Sequence, residues 1–327
     1  MYPELFKIPF TYLTVKSYGL MLVVGFLAAV FLIKHLSHNI ASPPQFITNA
    51  ALYALIAGVV GSRIFYVMHH FEQFEGRLLS VFAIWQGGLE FLGGVFLATV
   101  VLVFYMRHHK LPVRQYLDII AICLMLAAGF GRIGCFLNGC CFGKPINLPW
   151  AVRFPYGSYS YCNQINPDPA RKRFQPYMEL PPEFFHSFDK NNVRYSELKP
   201  YEELTDEQRK LVKSEYRCLP VHPTQLYESA ALFGNSILLY LFWRRSQRAA
   251  KRKGSEGLFT KAGSTFALTF ILYGISRFSI EFLRDDNPFE FDSLTISQNI
   301  SAILMVFGII LMIILAKIKP DKTAKDI

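Results

Sequence analysis

The amino-acid sequence predicts an all-α, polytopic membrane protein with about seven transmembrane helices and an extracytoplasmic insert between the fourth and fifth. Three observations carry that expectation. Apolar residues make up 52% of the 327 residues, a fraction some soluble proteins reach, but here they gather into runs approaching the ~20 residues that cross a hydrocarbon core. Charged residues collect in the short links between runs. A few ionisable side chains stand inside the runs, where they are costly and rarely accidental. Backbone in lipid must satisfy its own hydrogen bonds, so the runs read as helices.

In chain order the spans are Tyr18–Leu36, Ile47–Met68, Phe91–Met106, Tyr116–Phe136, Gln225–Trp243, Gly263–Phe282 and Ile300–Ile318. The first follows a weakly charged leader without a small-residue cleavage site, so it reads as a retained span. The third is short, and its glycine-rich lead-in GGLEFLGG admits a broken or re-entrant helix.

Basic residues set the orientation. Arg107, His108, His109, Lys110 and Arg114 fill the link after span three, and Arg244 to Lys253 the link after span five. Lys317, Lys319, Lys322 and Lys325 follow span seven. Seven crossings put all three groups on one face, predicted cytoplasmic, with the N-terminus outside and the C-terminus inside. The net charge of +10 is thereby explained without nucleic acid, for which no recognition helix or base-stacking platform is visible. The chain reads as a single transmembrane domain, 1–327, carrying an extracytoplasmic insert at 144–221. Within the insert, Thr205 and Gln208 have the spacing of a capping box before a surface helix. The remainder, rich in proline and tyrosine, reads as irregular, and the whole as a cap rather than an independent domain.

The buried charges point to chemistry. Arg63 lies in span two, Arg132 near the end of span four, and Arg277, Glu281 and Arg284 in and after span six. Tyr273, Arg277 and Glu281 are spaced by four and share a helix face. His222, Gln225, Tyr227 and Glu228 open span five at the same boundary. Each arginine alone could snorkel or pair internally. Taken together they read as short of buried carboxylates, and an anionic, phosphate-bearing ligand suits guanidinium forks. The glycines of GRIGCFLNGCCFGKP permit close backbone approach or tight helix packing.

Six cysteines are present. Cys123 reads as packing. A bridge between Cys162 and Cys218 would staple the ends of the insert. Adjacent Cys140 and Cys141 admit a redox pair or a metal site with His222, although neither has the usual CxxC spacing.

The strings SYGLMLVVGF, GSRIFYV, WQGGLEFLGG, GRIGCFLNGCCFG, HPTQLYE and YGISRFSIEFLR follow one another through most of the chain outside the insert. In that order and spacing they resemble the bacterial prolipoprotein diacylglyceryl transferases, in a divergent, cysteine-bearing version. The resemblance implies a multi-pass enzyme of the bacterial cytoplasmic (inner) membrane, working at the extracytoplasmic side. Such an enzyme moves diacylglyceryl from phosphatidylglycerol to the lipobox cysteine thiol of prolipoprotein signal peptides. A thioether forms and glycerol phosphate leaves; no metal or organic cofactor is expected.

The resemblance makes Arg132 the holder of the lipid phosphate, with Arg277 and Tyr273 as further catalytic positions and Tyr18 as an important tyrosine of the first span. Asn138 and Gly143 match the second asparagine and closing glycine of the GRxxNxxNxE region, and His222, Gln225, Tyr227 and Glu228 match HPxQLYE. Arg63, Glu281 and Arg284 complete the expected substrate-binding set. Three positions depart from the pattern: Leu92 stands where the family has a histidine, Cys135 replaces an asparagine, and Cys140 replaces a glutamate. Glu90, His222 and Tyr273 are then the candidate bases. Other classes remain open at this point: a carrier of an anionic lipid, a lipid-binding accessory protein without chemistry, or a thiol oxidoreductase built on Cys140 and Cys141.

Overall fold

The computed structural model describes residues 4–7, 14–38, 44–74, 76, 78–83, 87–88, 90–190, 193–253, 259–291 and 294–318. The predicted cytoplasmic Lys319, Lys322 and Lys325, and Trp85, Gln86 and Leu89 of WQGGLEFLGG, lie outside the described residues.

A helix falls on every predicted span: α1 (Ser17–Ser37), α2 (Pro44–His69), α3 (Phe91–His108), α4 (Val113–Asn138), α7 (Thr224–Lys253), α8 (Ser264–Glu281) and α9 (Ile296–Lys317). Two short helices, α5 (Tyr159–Ile165) and α6 (Asp206–Leu211), lie between α4 and α7. Four of the helices, covering Ser17–Ser37, Thr48–His69, Val113–Asn138 and Ile296–Lys317, are long and apolar enough to cross a membrane. Their surfaces fit that solvent. On α9, Ile303, Val306, Phe307, Ile310, Ile313 and Ile314 are all exposed, an apolar stripe at helical spacing that water would not leave uncovered. The glycine-rich lead-in does not break α3, which is one continuous helix; Gly87 and Gly88, with φ of 88° and 72°, keep the strained turns in the preceding loop.

Among the described residues strand is scarce and falls in three antiparallel pairs: β1 (Glu4–Lys7) with β2 (Thr14–Lys16), β3 (Phe185–Lys190) with β4 (Val193–Leu198), and β5 (Phe289–Phe291) with β6 (Leu294–Thr295).

The chain divides into two compact units, and the division passes through α1, α4, α7, α8 and α9. One unit comprises Leu27–Leu124, Leu239–Ala267 and Met312–Ile327. In it α2 packs on α3 through glycines: a Cβ on Gly61 would run into Leu97 at 2.6 Å, and one on Gly93 into the Gly61 carbonyl at 2.5 Å. Small residues at such a seam let two backbones approach without help from water. The buried Asp118 accepts hydrogen bonds from the Gly263 and Phe266 amides, each at 2.8 Å, so its carboxylate caps the positive end of α8.

The other unit comprises Met1–Phe26, Met125–Leu238 and Leu268–Leu311. It holds the insert, which is more ordered than its composition predicts. Phe142, Phe154, Tyr161, Ile165, Cys218 and Val221 form one buried cluster, and Phe184, Leu204 and Val212 a second. The β3–β4 hairpin corrects the expectation of an irregular segment. The capping box forms as predicted, with the Gln208 amide donating to Thr205 Oγ1 at 3.2 Å and the Thr205 amide to Gln208 Oε1 at 3.0 Å. The predicted Cys162–Cys218 bridge is absent: both thiols are free, and Cys218 donates to Gln164 Oε1 at 3.4 Å. A neutral partner satisfies that buried sulfhydryl, so no cross-link is needed to hold it.

Candidate active site

The second unit gathers the C-terminal end of α4, the first turns of α7, the end of α8 and the loop after it. Backbone bonds tie these pieces together. Gly143 N donates to the His222 carbonyl at 3.1 Å, Lys144 N to the Leu283 carbonyl at 2.8 Å, and Asp285 N to the Phe142 carbonyl at 3.2 Å. Only glycine fits at 143, because a Cβ there would meet His222 Cβ at 2.6 Å and the His222 and Leu283 carbonyl oxygens at 2.8 Å. From the start of α7, Thr224 Oγ1 donates to the Cys141 carbonyl and Gln225 Nε2 to the Cys140 carbonyl, both at 2.7 Å. The sequence-predicted Gly143 and Gln225 fix the loop that follows Arg132.

At the centre stands Glu228, 2% exposed. Three guanidinium groups converge on it: Arg132 Nη2 lies 3.0 Å from Oε1, and Arg277 Nη1 and Arg284 Nη1 each lie 3.5 Å from Oε2. Glu281 forms a second node. Arg277 Nη2 reaches its Oε2 at 2.9 Å, as the spacing of four predicts, while Thr295 Oγ1 and Asn287 Nδ2 donate to its Oε1 at 2.8 and 2.6 Å. Arg277 Nη2 also donates to Ser297 Oγ at 2.9 Å. Arg284 is held by Asp286 in a two-pronged pair, at 2.9 and 2.7 Å.

This corrects one step of the sequence reading. The arginines are not short of carboxylates: Glu228, Glu281 and Asp286 supply one for each of Arg132, Arg277 and Arg284. Asp286 and Asn287 sit in the loop after α8, Thr295 in β6 and Ser297 on α9, where no period shared with α8 marks them in the sequence. The arginines also differ in freedom. The side chain of Arg132 is 22% exposed, against 9% and 4% for Arg277 and Arg284. Arg132 is therefore the most accessible of the three, and the other two are held among the carboxylates. Arg284 Nη1 is buried without a hydrogen bond; its approach to Glu228 is ionic only.

The remaining expected residues fall around this cluster or away from it. Tyr18, 40% exposed, packs by its ring and Cα against Gly134 of α4. Asn138 ends α4, and Tyr273 is half-buried one turn before Arg277. His222 Nδ1 stands 3.4 Å from Tyr227 Oη, which accepts a 2.7 Å bond from Trp150 Nε1. Burial, and then Lys144, hold the His222 imidazole below its ordinary pKa, so it is neutral at physiological pH and free to accept a proton. Arg63 belongs to the first unit. Its guanidinium donates to the carbonyls of Val81, Gly87, Gly88 and Ser80 at 2.7, 2.8, 3.0 and 2.7 Å, so it closes the loop between α2 and α3. Glu90, in the same unit, is engaged by His69 Nδ1 at 2.8 Å.

The cysteines form a group the sequence reading only half anticipated. The sulfurs of Cys135, Cys140 and Cys141 lie within 4.8 Å of one another, and Arg132 Nη1 donates to Cys141 Sγ at 3.5 Å. The grouping does not include His222, the ligand that one of the two readings of Cys140 and Cys141 would add. Hydrogen bonds from the Cys135 and Cys140 thiols, followed by the charges of Arg284 and Arg132, hold the Cys141 thiol below the ordinary range.

The family model described as prolipoprotein diacylglyceryl transferase matches residues 3–314. The chain is 26% identical over 298 residues to the phosphatidylglycerol–prolipoprotein diacylglyceryl transferase of Synechococcus elongatus, covering 91% of this chain and 82% of that one. It is 26% identical over 297 residues to the protein of the same name in Clostridium tetani, at 91% and 92% coverage. To that of Buchnera aphidicola it is 29% identical over 323 residues, at 95% and 96%. The chain belongs to the prolipoprotein diacylglyceryl transferase family.

Proposed function

We propose that the chain transfers diacylglyceryl from phosphatidylglycerol to the cysteine thiol of prolipoproteins, with Arg132 as the group that receives the lipid phosphate. The observation that supports this most is the cluster around Glu228, built by a chain that the family model matches over 3–314. The reaction displaces a phosphate from an alkyl carbon. Charge builds on the leaving oxygen, and a preorganised guanidinium facing it lowers the barrier more than any contact made equally in the ground state. Glu228 holds Arg132 in place, and Arg277, Arg284 and Glu281 hold Glu228. Tyr18, Asn138 and Tyr227 then border the lipid, with Gly143 and Gln225 fixing the loop beside it. Arg63 supports the reaction through the loop it closes. A free thiol of pKa ~8.5 is partly ionised near neutrality, so positioning can supply much of the rate. His222 or Tyr273 accepts the proton where one must be taken up.

The membrane arrangement follows the sequence. All seven long helices span the bilayer, the N-terminus lies outside, the basic links face the cytoplasm, and the insert with the active site faces the extracytoplasmic side. Lipobox signal peptides arrive there. Incubating the protein in phosphatidylglycerol membranes with a cysteine-bearing lipobox peptide should give a diacylglyceryl thioether by mass spectrometry. No thioether from folded protein that still retains phosphatidylglycerol would replace this reading with the accessory, lipid-binding one, which Leu92 in the histidine position favours.

A further inference from the structure

We propose that Cys135, Cys140 and Cys141 form a three-sulfur zinc site whose open fourth position takes the acceptor thiol. The inference rests on the transferase reading above and adds to it a metal that neither the family resemblance nor the base candidates include.

Geometry carries it. The three sulfurs lie within 4.8 Å of one another, and a tetrahedral zinc at ~2.3 Å from each would draw them to about 3.8 Å. The backbone is shaped for this grouping. Cys135 sits in the last turn of α4, and Gly139 and Cys141 have φ of 79° and 62°, which curls the chain back on itself. The Cys140 amide donates to the Cys135 carbonyl at 3.2 Å. Gln225 and Thr224 then pin the Cys140 and Cys141 carbonyls from α7. A ligand loop held at both of its cysteines does not need to be ordered by the ion. All three thiols are free, and Cys140 and Cys141 are half-exposed, unlike cysteines used as core packing.

The ligand count points to reactivity. Four thiolates close a structural zinc, whereas three protein ligands leave a place for substrate. Three soft sulfurs select zinc or copper(I) among the common ions, and a trigonal copper(I) would have no place for a fourth sulfur. Arg132 Nη1 against Cys141 Sγ at 3.5 Å supplies the outer hydrogen bond that orients a metal-bound thiolate. The same guanidinium reaches Glu228, so one side chain stands between the sulfur cluster and the proposed phosphate position.

The step balances without an oxidant. The acceptor thiol binds zinc in place of a water and gives its proton to solvent, since a coordinating thiol is deprotonated outright. Its sulfur lone pair forms the bond to the glyceryl carbon as the bond from that carbon to the phosphate oxygen breaks. The electrons leave with glycerol phosphate, paired to Arg132. The product thioether is neutral, binds zinc weakly and departs. A proton acceptor at the Leu92 position then has no task left.

The test uses the full-length protein, purified reduced and metal-free in phosphatidylglycerol nanodiscs and loaded with zinc or cobalt(II). The wild type should bind about one ion per chain, with sulfur-to-cobalt charge-transfer absorption. Cys140→Ser should weaken cobalt at least about 10-fold, and the triple Cys135→Ser/Cys140→Ser/Cys141→Ser variant should bind none while keeping its helical circular dichroism. A lipobox peptide should raise the charge-transfer band by about a third, as a fourth sulfur joins three. The same peptide with serine for cysteine should not. Metal binding equal in the wild type and Cys140→Ser overturns the site, and a band indifferent to the cysteine peptide overturns the fourth-ligand step. Full-rate thioether formation after zinc removal also overturns the inference and leaves the transferase reading standing. A band that responds to the peptide without any thioether, zinc restored, sinks the transferase reading and keeps the site.

Discussion

Arg63 and Arg132 both lie on helices apolar enough to cross a membrane, yet the protein uses them in opposite ways. Arg63 spends its donors on four backbone carbonyls of one loop and stacks near Tyr66 and Phe74, with centroids at 5.6 and 5.3 Å. It is satisfied without a ligand. Arg132 has one carboxylate and one thiol as partners, and its side chain stays 22% exposed. By sequence alone the two have the same standing, an arginine in a glycine-bearing apolar run. What separates them is whether the groups they meet are neutral dipoles or charges that other arginines already balance.

The largest effect expected from breaking this contrast is at Arg132. Arg132→Ala should lower thioether formation by about 10²–10³-fold, the range seen when one preorganised charge-stabilising donor is removed, with the unfolding temperature little changed. Arg63→Ala should do the reverse. It leaves four carbonyls without their donor and should destabilise the protein by about 3 kcal/mol or more, read as a fall in unfolding temperature, with activity per folded molecule far less affected than in Arg132→Ala. Gly143→Ala should come next, at about 1–3 kcal/mol, because its Cβ would overlap His222 and the Leu283 carbonyl. Normal stability in that variant would mean the β-bridge between Gly143 and Arg284 is not needed to hold the site.

A smaller effect concerns protons. His222 is held below its ordinary pKa by burial and then by Lys144, so its neutral form persists to lower pH than a free imidazole. With His222 as proton acceptor, the acid limb of the rate profile falls below pH ~6.5 and disappears in His222→Ala. Unchanged transfer in His222→Ala at every pH would pass the role to Tyr273, or to solvent as the zinc-bound acceptor thiol ionises. The smallest change should come from Gln225→Ala, which removes one bond to the Cys140 carbonyl and costs about 1 kcal/mol.

Much of this was legible before any coordinates. Hydropathy runs located all seven long helices, because their apolar residues are written continuously along the chain. The Arg277–Glu281 pair followed from a spacing of four, and the α6 capping box from a spacing of three. Three features did not follow. The convergence on Glu228 joins α4, α7 and the end of α8, and no local period encodes a contact between elements so far apart. Cys135 joins Cys140 and Cys141 only because Gly139 turns left-handed, which neither helix nor loop composition announces. The β3–β4 hairpin had a readable signal that was passed over: FHSFDK and VRYSEL flank Asn191 and Asn192, a two-residue break of the kind that joins strands.

The most direct test of the central claim is the yield of diacylglyceryl thioether per folded molecule in Arg132→Lys beside the wild type. Lysine keeps the charge and loses the fork that spans Glu228 and an incoming phosphate. A fall of at least about 10-fold, with folding intact, is the predicted result. Wild-type yield from Arg132→Lys would contradict the account, because a point charge would then serve where the structure places a two-sided guanidinium.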